Sequence, residues 1–185
     1  MEVYQAIMQR RAYRSLIPVE ISDSLIRDLA ESASLAPSCF NNQPWRFVFV
    51  RSPQMLERMQ EALSSGNEWA YVASMIIAVF SRKEDDCIIR DREYHQFDCG
   101  LGAGFLILRA TELGLVAHPI AGFSPKKTRE ILRIPEDYSV ITLIIVGKHA
   151  EKISPVLSEK QVAWEKSRPE RKAFPEFAFI DQYRA

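Results

Sequence analysis

Two short segments carry the residue types from which a recognition site can be built. Arg10, Arg11 and Arg14 place three guanidiniums within five residues, at the end of a predicted helix over residues 2–11. The planar fork of each matches the oxygens of a phosphate group, and Arg10 and Arg14 lie one helical turn apart on a shared face. On spacing alone, such a cluster serves more commonly as a solvated patch compensating a helix C-terminus. The second segment runs Ala36-Pro37-Ser38-Cys39-Phe40-Asn41-Asn42-Gln43-Pro44-Trp45. Here Asn, Gln and Ser stand among Pro, Phe and Trp rather than among charges. Side-chain amides offer a donor and an acceptor in one group, which suits a flat, polar-edged heteroaromatic ring. The competing use is a loop whose amides cap nearby backbone.

The elements that must position these segments can be read from caps and periodicity. Ser22 caps a helix running to about residue 35, and Ser52-Pro53 and Ser124-Pro125 open two more, over about 53–63 and 125–132. Residues 45–50 alternate as a half-buried strand, while 75–80 and 140–146 are unbroken apolar runs that suggest strands buried on both faces. A long helix is expected from Asp86 to Leu113, ending at Gly114, with a middle so apolar that it should be buried on every side. An extended piece over 116–120 leads to Gly122. Helices and strands mix without strict alternation, so an α+β sandwich is expected rather than a doubly wound sheet.

Bulk composition narrows the classes. At 185 residues and 47% hydrophobic content, the chain can bury one well-packed core. Lys plus Arg and Asp plus Glu balance at 24 each, so no net field favours nucleic acid or an anionic membrane. No apolar run reaches membrane-spanning length. The three cysteines, Cys39, Cys87 and Cys99, form no C-x-x-C pair; their odd number suggests a reducing compartment rather than a disulfide scaffold. With no signal-peptide pattern at the N-terminus, a cytoplasmic location is expected. Residues 1–150 read as the core, and 151–185 as an extended arm of the same domain. That arm combines Pro155, Pro169 and Pro175 with Trp164, Phe174, Phe177, Phe179 and Tyr183, more aromatic area than a disordered tail carries. It could lie over a partner subunit or fold back on its own.

Together the segments closely resemble the signature of the nitroreductase family of flavin mononucleotide (FMN) enzymes. The resemblance extends to His118-Pro119-Ile120-Ala121-Gly122-Phe123 and to the basic run Lys166-Ser167-Arg168-Pro169-Glu170-Arg171-Lys172. It implies a three-layer α+β sandwich, with a mixed or antiparallel central sheet flanked by helices and a domain-swapped C-terminal arm. It further implies a homodimer with two FMN sites at the subunit interface. Arg10 would hold the phosphate, Arg14 would reach the N1/O2 edge of the ring, and Arg11 would lie between them. Pro37, Ser38, Cys39 and Asn41 would face flavin bound mainly by the other subunit, with Gln43 behind them. Asn67 would meet the pyrimidine edge, and the Ala121 and Gly122 amides would contact N5 and O4. The phosphate site would be completed by Arg171 and Lys172, or in the other register by Lys166 and Arg168. The implied activity is NAD(P)H-dependent reduction of nitroaromatics, quinones or related acceptors by alternating occupancy of one site. Phe40, Tyr94 and Phe97 would line the acceptor channel. A flavin carrier or sensor, or specialised chemistry such as dehalogenation or flavin breakdown, is the alternative on the same fold.

Other patterns carry less. Gly100-x-Gly102-x-Gly104 is not a dinucleotide-binding turn, and its glycines are expected to permit close helix approach. His95 and Cys99 share a helix face but lack a second ligand pair, so no metal is expected.

Overall fold

The computed structural model describes residues 1–183. Helix α1 spans Val3–Gln9 and leads through the arginine segment into a short strand β1, Leu16–Ile17. Helix α2, Asp23–Ser34, begins where Ser22 caps it, its side chain accepting from the Leu25 N–H at 3.1 Å. Strand β2 covers Arg46–Val50, helix α3 Pro53–Gln60 and strand β3 Met75–Ser81. A small hairpin of β4, Ile88–Ile89, and β5, Arg92–Glu93, precedes helix α4, His95–Glu112. Strand β6, Val116–Ile120, helix α5, Pro125–Leu132, strand β7, Ser139–His149, and helix α6, Glu159–Lys166, complete the order.

Every strand pairing is antiparallel. The eleven-residue β7 is the spine of the sheet. One edge pairs with β3, which in turn pairs with β2; the other is shared by β6 over residues 143–147 and β1 over 148–149. Because side chains alternate across a strand, β3 and β7 each feed two cores. Ile76, Ala78, Leu143 and Ile145 pack with Met59, Trp69 and Ile131 toward α3 and α5. Met75, Ile77, Ile144 and Val146 pack with Leu29, Ala33, Leu106 and Ala110 toward α2 and α4. The result is an α+β sandwich with helices on both faces of one sheet, as expected. A fork joins two of the helices: Arg109 donates to both carboxylate oxygens of Asp28, at 2.9 and 2.6 Å.

Three readings of the sequence need correction. The helix expected from Asp86 begins only at His95, because Ile88-Ile89 pair with Arg92-Glu93 across a turn in which Arg90 takes φ 61°. Helix α4 is not buried on every side. Phe97 and Phe105 are exposed, and a Cβ at Gly100 or Gly104 would meet nothing within 4 Å. Of the three glycines, only Gly102 admits a close neighbour in the same chain, the indole of Trp45. Finally, Cys39 and Cys87 form a disulfide across 48 residues, with Cα atoms 6.0 Å apart, and leave only Cys99 free. That bond removes the compositional ground for assigning a reducing compartment. No helix among the described residues is long and apolar enough to cross a membrane.

The C-terminal segment begins against its own chain. Helix α6 is capped by Ser158, whose N–H is met in return by Gln161 at 2.9 Å, and Glu165 is buried beneath it. Beyond residue 168 the chain is largely exposed, including Phe174, Phe177, Ile180 and Tyr183.

Candidate functional site

The helix expected to carry Arg10 ends at Gln9, so Arg10 and Arg14 do not share a helical face. Arg10, Arg11 and Arg14 follow α1 in non-helical backbone, and α6 closes over them. Arg11 is committed to that closure. It donates to the Trp164 carbonyl at 2.6 Å and the Glu165 carbonyl at 3.2 Å, satisfying orphan acceptors at the end of α6, and lies 4.5 Å over the Tyr13 ring. The Glu165 carboxylate accepts from the Arg14 N–H at 2.6 Å and the Ser15 N–H at 3.3 Å. Arg168 completes the tie, donating to the Met8 and Arg10 carbonyls at 2.5 and 2.9 Å.

What remains is a cavity of about 220 Å³ lined by Arg10, Arg11, Arg14, Trp164, Arg168 and Arg171, among others. Among the described residues none of these arginines forms an ion pair with a carboxylate. Arg10 is held below the ordinary arginine range by partial burial and by the neighbouring charges of Arg168 and Arg171. Five cations gathered with one buried carboxylate, Glu165, beside Arg14 favour an anion in their midst. Lys166 and Lys172 are exposed and outside this lining, so the two sequence registers each contribute one residue, Arg168 and Arg171.

From this cavity a chain of contacts leads to the Gly122 loop. The Arg14 guanidinium lies 5.2 Å from the Trp164 ring and 5.8 Å from the Trp69 ring. Trp69 donates to Asn67 Oδ1 at 3.1 Å, and Asn67 Nδ2 donates to the Gly122 carbonyl at 2.9 Å. The same carbonyl accepts from the Ser64 N–H at 3.0 Å. Among the described residues, no hydrogen bond engages the N–H groups of Ala121 or Gly122, so both remain available to a ligand. Asn67 positions the loop with one donor and one acceptor, and its amide keeps a second N–H and a second lone pair for a ligand. A Cβ at Gly122 would collide with Asn67 Nδ2, so glycine is required there by close approach. Gly122→Ala is expected to break the Asn67 bond and cost about 1–3 kcal/mol. Urea unfolding checks this; an unchanged midpoint would rule out the tight contact.

His118 and Trp69 stack beneath this path at 4.8 Å, and His118 Nδ1 faces the Tyr13 carbonyl at 3.0 Å. Burial pushes the imidazole down to about 4; the Tyr13 carbonyl opposes the shift, and the charges of Arg14 and Arg10 add to it. A folded value below the unfolded one means that the unfolded chain binds the extra proton. Stability is therefore full above about pH 6.5 and falls as pH drops toward about 4, by about 3 kcal/mol from this group. Urea unfolding at pH 7.5 and 4.5 should show a smaller fall in His118→Gln than in the parent. Equal falls would refute the assignment.

The Pro37–Asn41 segment bonds to other partners. No hydrogen bond or ion pair among the described residues joins it to the arginine cavity. Ser38 Oγ accepts from the Gln43 N–H at 3.0 Å, and the Cys39 N–H donates to the buried Asp98 at 2.7 Å. Asn42, not among the predicted site residues, donates to Asp86 at 3.3 Å. Phe40, Asn41 and Gln43 all take left-handed backbone, and Pro37 and Phe40 face outward. Sequence reasoning missed Glu165 and Asp86, because an acid within a charged segment gives no sign of being buried. It also missed Trp69, which no motif singles out.

The sequence model of the Nitroreductase family matches this chain over residues 7–74 and 65–148. The chain belongs to that family and is an enzyme of the oxidoreductase class. It is 26% identical to an NADH dehydrogenase of Thermus thermophilus, over 86% of this chain and 94% of that one. It is 29% identical to an iodotyrosine deiodinase of Haliscomenobacter hydrossis, over 81% of this chain and 80% of the other. Among solved structures, one described as an oxidoreductase containing FMN superposes with a TM-score of 0.83 at 26% identity, covering 97% of this chain and 91% of its own. A nitroreductase of Exiguobacterium sibiricum solved with FMN shares the fold at a TM-score of 0.81 and 20% identity, covering 98% of each chain.

Proposed function

We propose that this protein is an FMN-dependent oxidoreductase that uses NAD(P)H to reduce nitroaromatic, quinone or related acceptors. The observation that carries the reading is the continuous path from the unpaired arginine cavity, through Arg14 and Trp69, to the free amides of the Gly122 loop. The residues fit the cofactor: a phosphate needs an excess of cations, and a ring needs directed N–H groups. Arg10, Arg168 and Arg171 would hold the phosphate, with Arg11 and Lys172 adding positive charge nearby. Arg14 would place a fixed cation beside the ring edge, where negative charge gathers on reduction. The Ala121 and Gly122 N–H groups would orient the opposite edge. Bound FMN supplies hydride acceptance and donation; donor and acceptor would use the same space in turn, giving ping-pong kinetics.

Pro37, Ser38, Cys39 and Asn41 would complete the site from a second subunit. Within one chain no described hydrogen bond or ion pair joins them to the arginine cavity, which favours that reading, as does the uncovered stripe of Phe97, Gly100, Gly104 and Phe105 on α4. An apolar groove of about 300 Å³ between α1, α2 and α4 adds to the uncovered surface. Phe40 and Phe97, both exposed, would border the acceptor channel with Tyr94. The deiodinase relative keeps reductive dehalogenation as a second reading. The absorbance spectrum of the purified protein, before and after anaerobic NADH or NADPH, tests the proposal. A yellow protein bleached by either nucleotide supports it. A colourless protein that FMN cannot reconstitute refutes it.

A further inference from the structure

The disulfide joins the most strained loop of the chain to the segment ahead of α4. Phe40, Asn41 and Gln43 take φ of 48°, 58° and 50°, a region that side chains other than glycine seldom adopt without support. Packing does not supply that support at Phe40, which is 88% exposed. The loop is instead held at its base. Cys39 is bonded to Cys87, the Cys39 N–H reaches Asp98, and Asn42 reaches Asp86 and the Cys87 sulfur at 3.3 and 3.5 Å. Apart from the disulfide itself, two of the three hydrogen bonds run to the segment that it fixes.

The surroundings also set the chemistry of the sulfurs. Asp86 is buried beside both, with Oδ2 lacking a partner, and burial together with Asp86 raises the carboxyl of Asp98. A thiolate beside such carboxyls is disfavoured, whereas a disulfide or a pair of neutral thiols adds no charge. Cys39 is only half-buried in the single chain, so an external dithiol can reach the bond when the loop is not covered by cofactor.

We propose that Cys39–Cys87 is a reversible redox latch on the Pro37–Gln43 loop, closed as the disulfide and open as the dithiol. Opening consumes two electrons and two protons from a dithiol reductant: the S–S bond breaks, two S–H bonds form, and the reductant becomes a disulfide. Closing is the reverse exchange, in which a disulfide oxidant takes the two electrons and two protons and is released as two thiols. The closed latch preorganises the loop, and the open one lets Phe40, Asn41 and Gln43 leave the left-handed region. Insofar as the loop faces FMN, which rests on the proposed function, the closed form retains the cofactor more tightly.

The test uses the full chain, without and with FMN, before and after treatment of the native protein with dithiothreitol. Thiols counted after denaturation should rise from one, Cys99, to three. Amide exchange over residues 38–43 should accelerate about tenfold on reduction and return on reoxidation with a disulfide oxidant. Cys87→Ser should exchange at the open rate in both conditions. The FMN dissociation constant should rise about five- to tenfold on opening. A count of three before treatment, a count of one after it, or exchange that ignores reduction would each overturn the latch; all are readable in the parent protein should the variant fail to fold. Exchange that responds while FMN affinity does not would uphold the latch and overturn the cofactor-facing assignment.

Discussion

Replacing Arg10 with alanine is expected to weaken FMN binding by about 10- to 100-fold without lowering the stability of the cofactor-free protein. The affinity loss is that of one charge-assisted, bidentate contact to phosphate. The stability expectation follows from the crowding of the cavity: without an anion, Arg10 lies against Arg168 and Arg171, and its own charge is disfavoured by burial and by theirs. Its removal relieves that repulsion. Arg10→Lys keeps the charge but not the planar fork, so its affinity should fall between parent and alanine variant. Fluorescence titration with FMN, paired with urea unfolding of the cofactor-free forms, separates the two effects. FMN affinity unchanged in Arg10→Ala would sink the phosphate assignment of the whole cavity.

The second large effect concerns Glu165, whose burial makes it the main tie between the two ends of the chain. Glu165→Ala strands the N–H groups of Arg14 and Ser15, and Ser15 is fully buried. Each unsatisfied donor costs about 1–3 kcal/mol, and the void adds to that, so a loss of about 3–5 kcal/mol is expected. Glu165→Gln retains one acceptor oxygen and should lose about half as much. Because α6 carries Trp164 and its end anchors Arg11, the alanine variant should also bind FMN poorly even where it remains folded. Urea unfolding should order the forms parent, glutamine, alanine. An alanine variant within about 0.5 kcal/mol of the parent would show that the carboxylate does not hold the segment.

The parts of this fold legible in the sequence are those governed by local chemistry. Ser22 and Ser124 cap their helices through contacts three residues away, and the apolar runs of β3 and β7 announce strands covered on both faces. The arginine segment and the Gly122 loop were legible because their residue types match a known family pattern. Distant pairing was not. Nothing near Cys39 points to Cys87, and nothing near Glu165 points to the Arg14 amide. The hairpin of β4 and β5 was hidden because its turn uses Arg90 and Asp91, where a glycine or asparagine would have signalled it. The outward face of α4 reads as core because apolar residues mark a surface to be covered without saying which molecule covers it.

The arginine cavity draws on residues 10–14 and on residues 164–171, two stretches at opposite ends of the chain. During synthesis the first stretch leaves the ribosome with nothing to close against, carrying three positive charges and no counter-anion. The sheet and both cores draw on no residue of α6, since β7 ends at His149 and α6 begins at Glu159. On the proposed function, anion binding would thus be the last property this domain acquires. A nascent or truncated chain lacking α6 would be a nearly complete scaffold with no site on it, and cofactor capture would report that the final turn of α6 has docked.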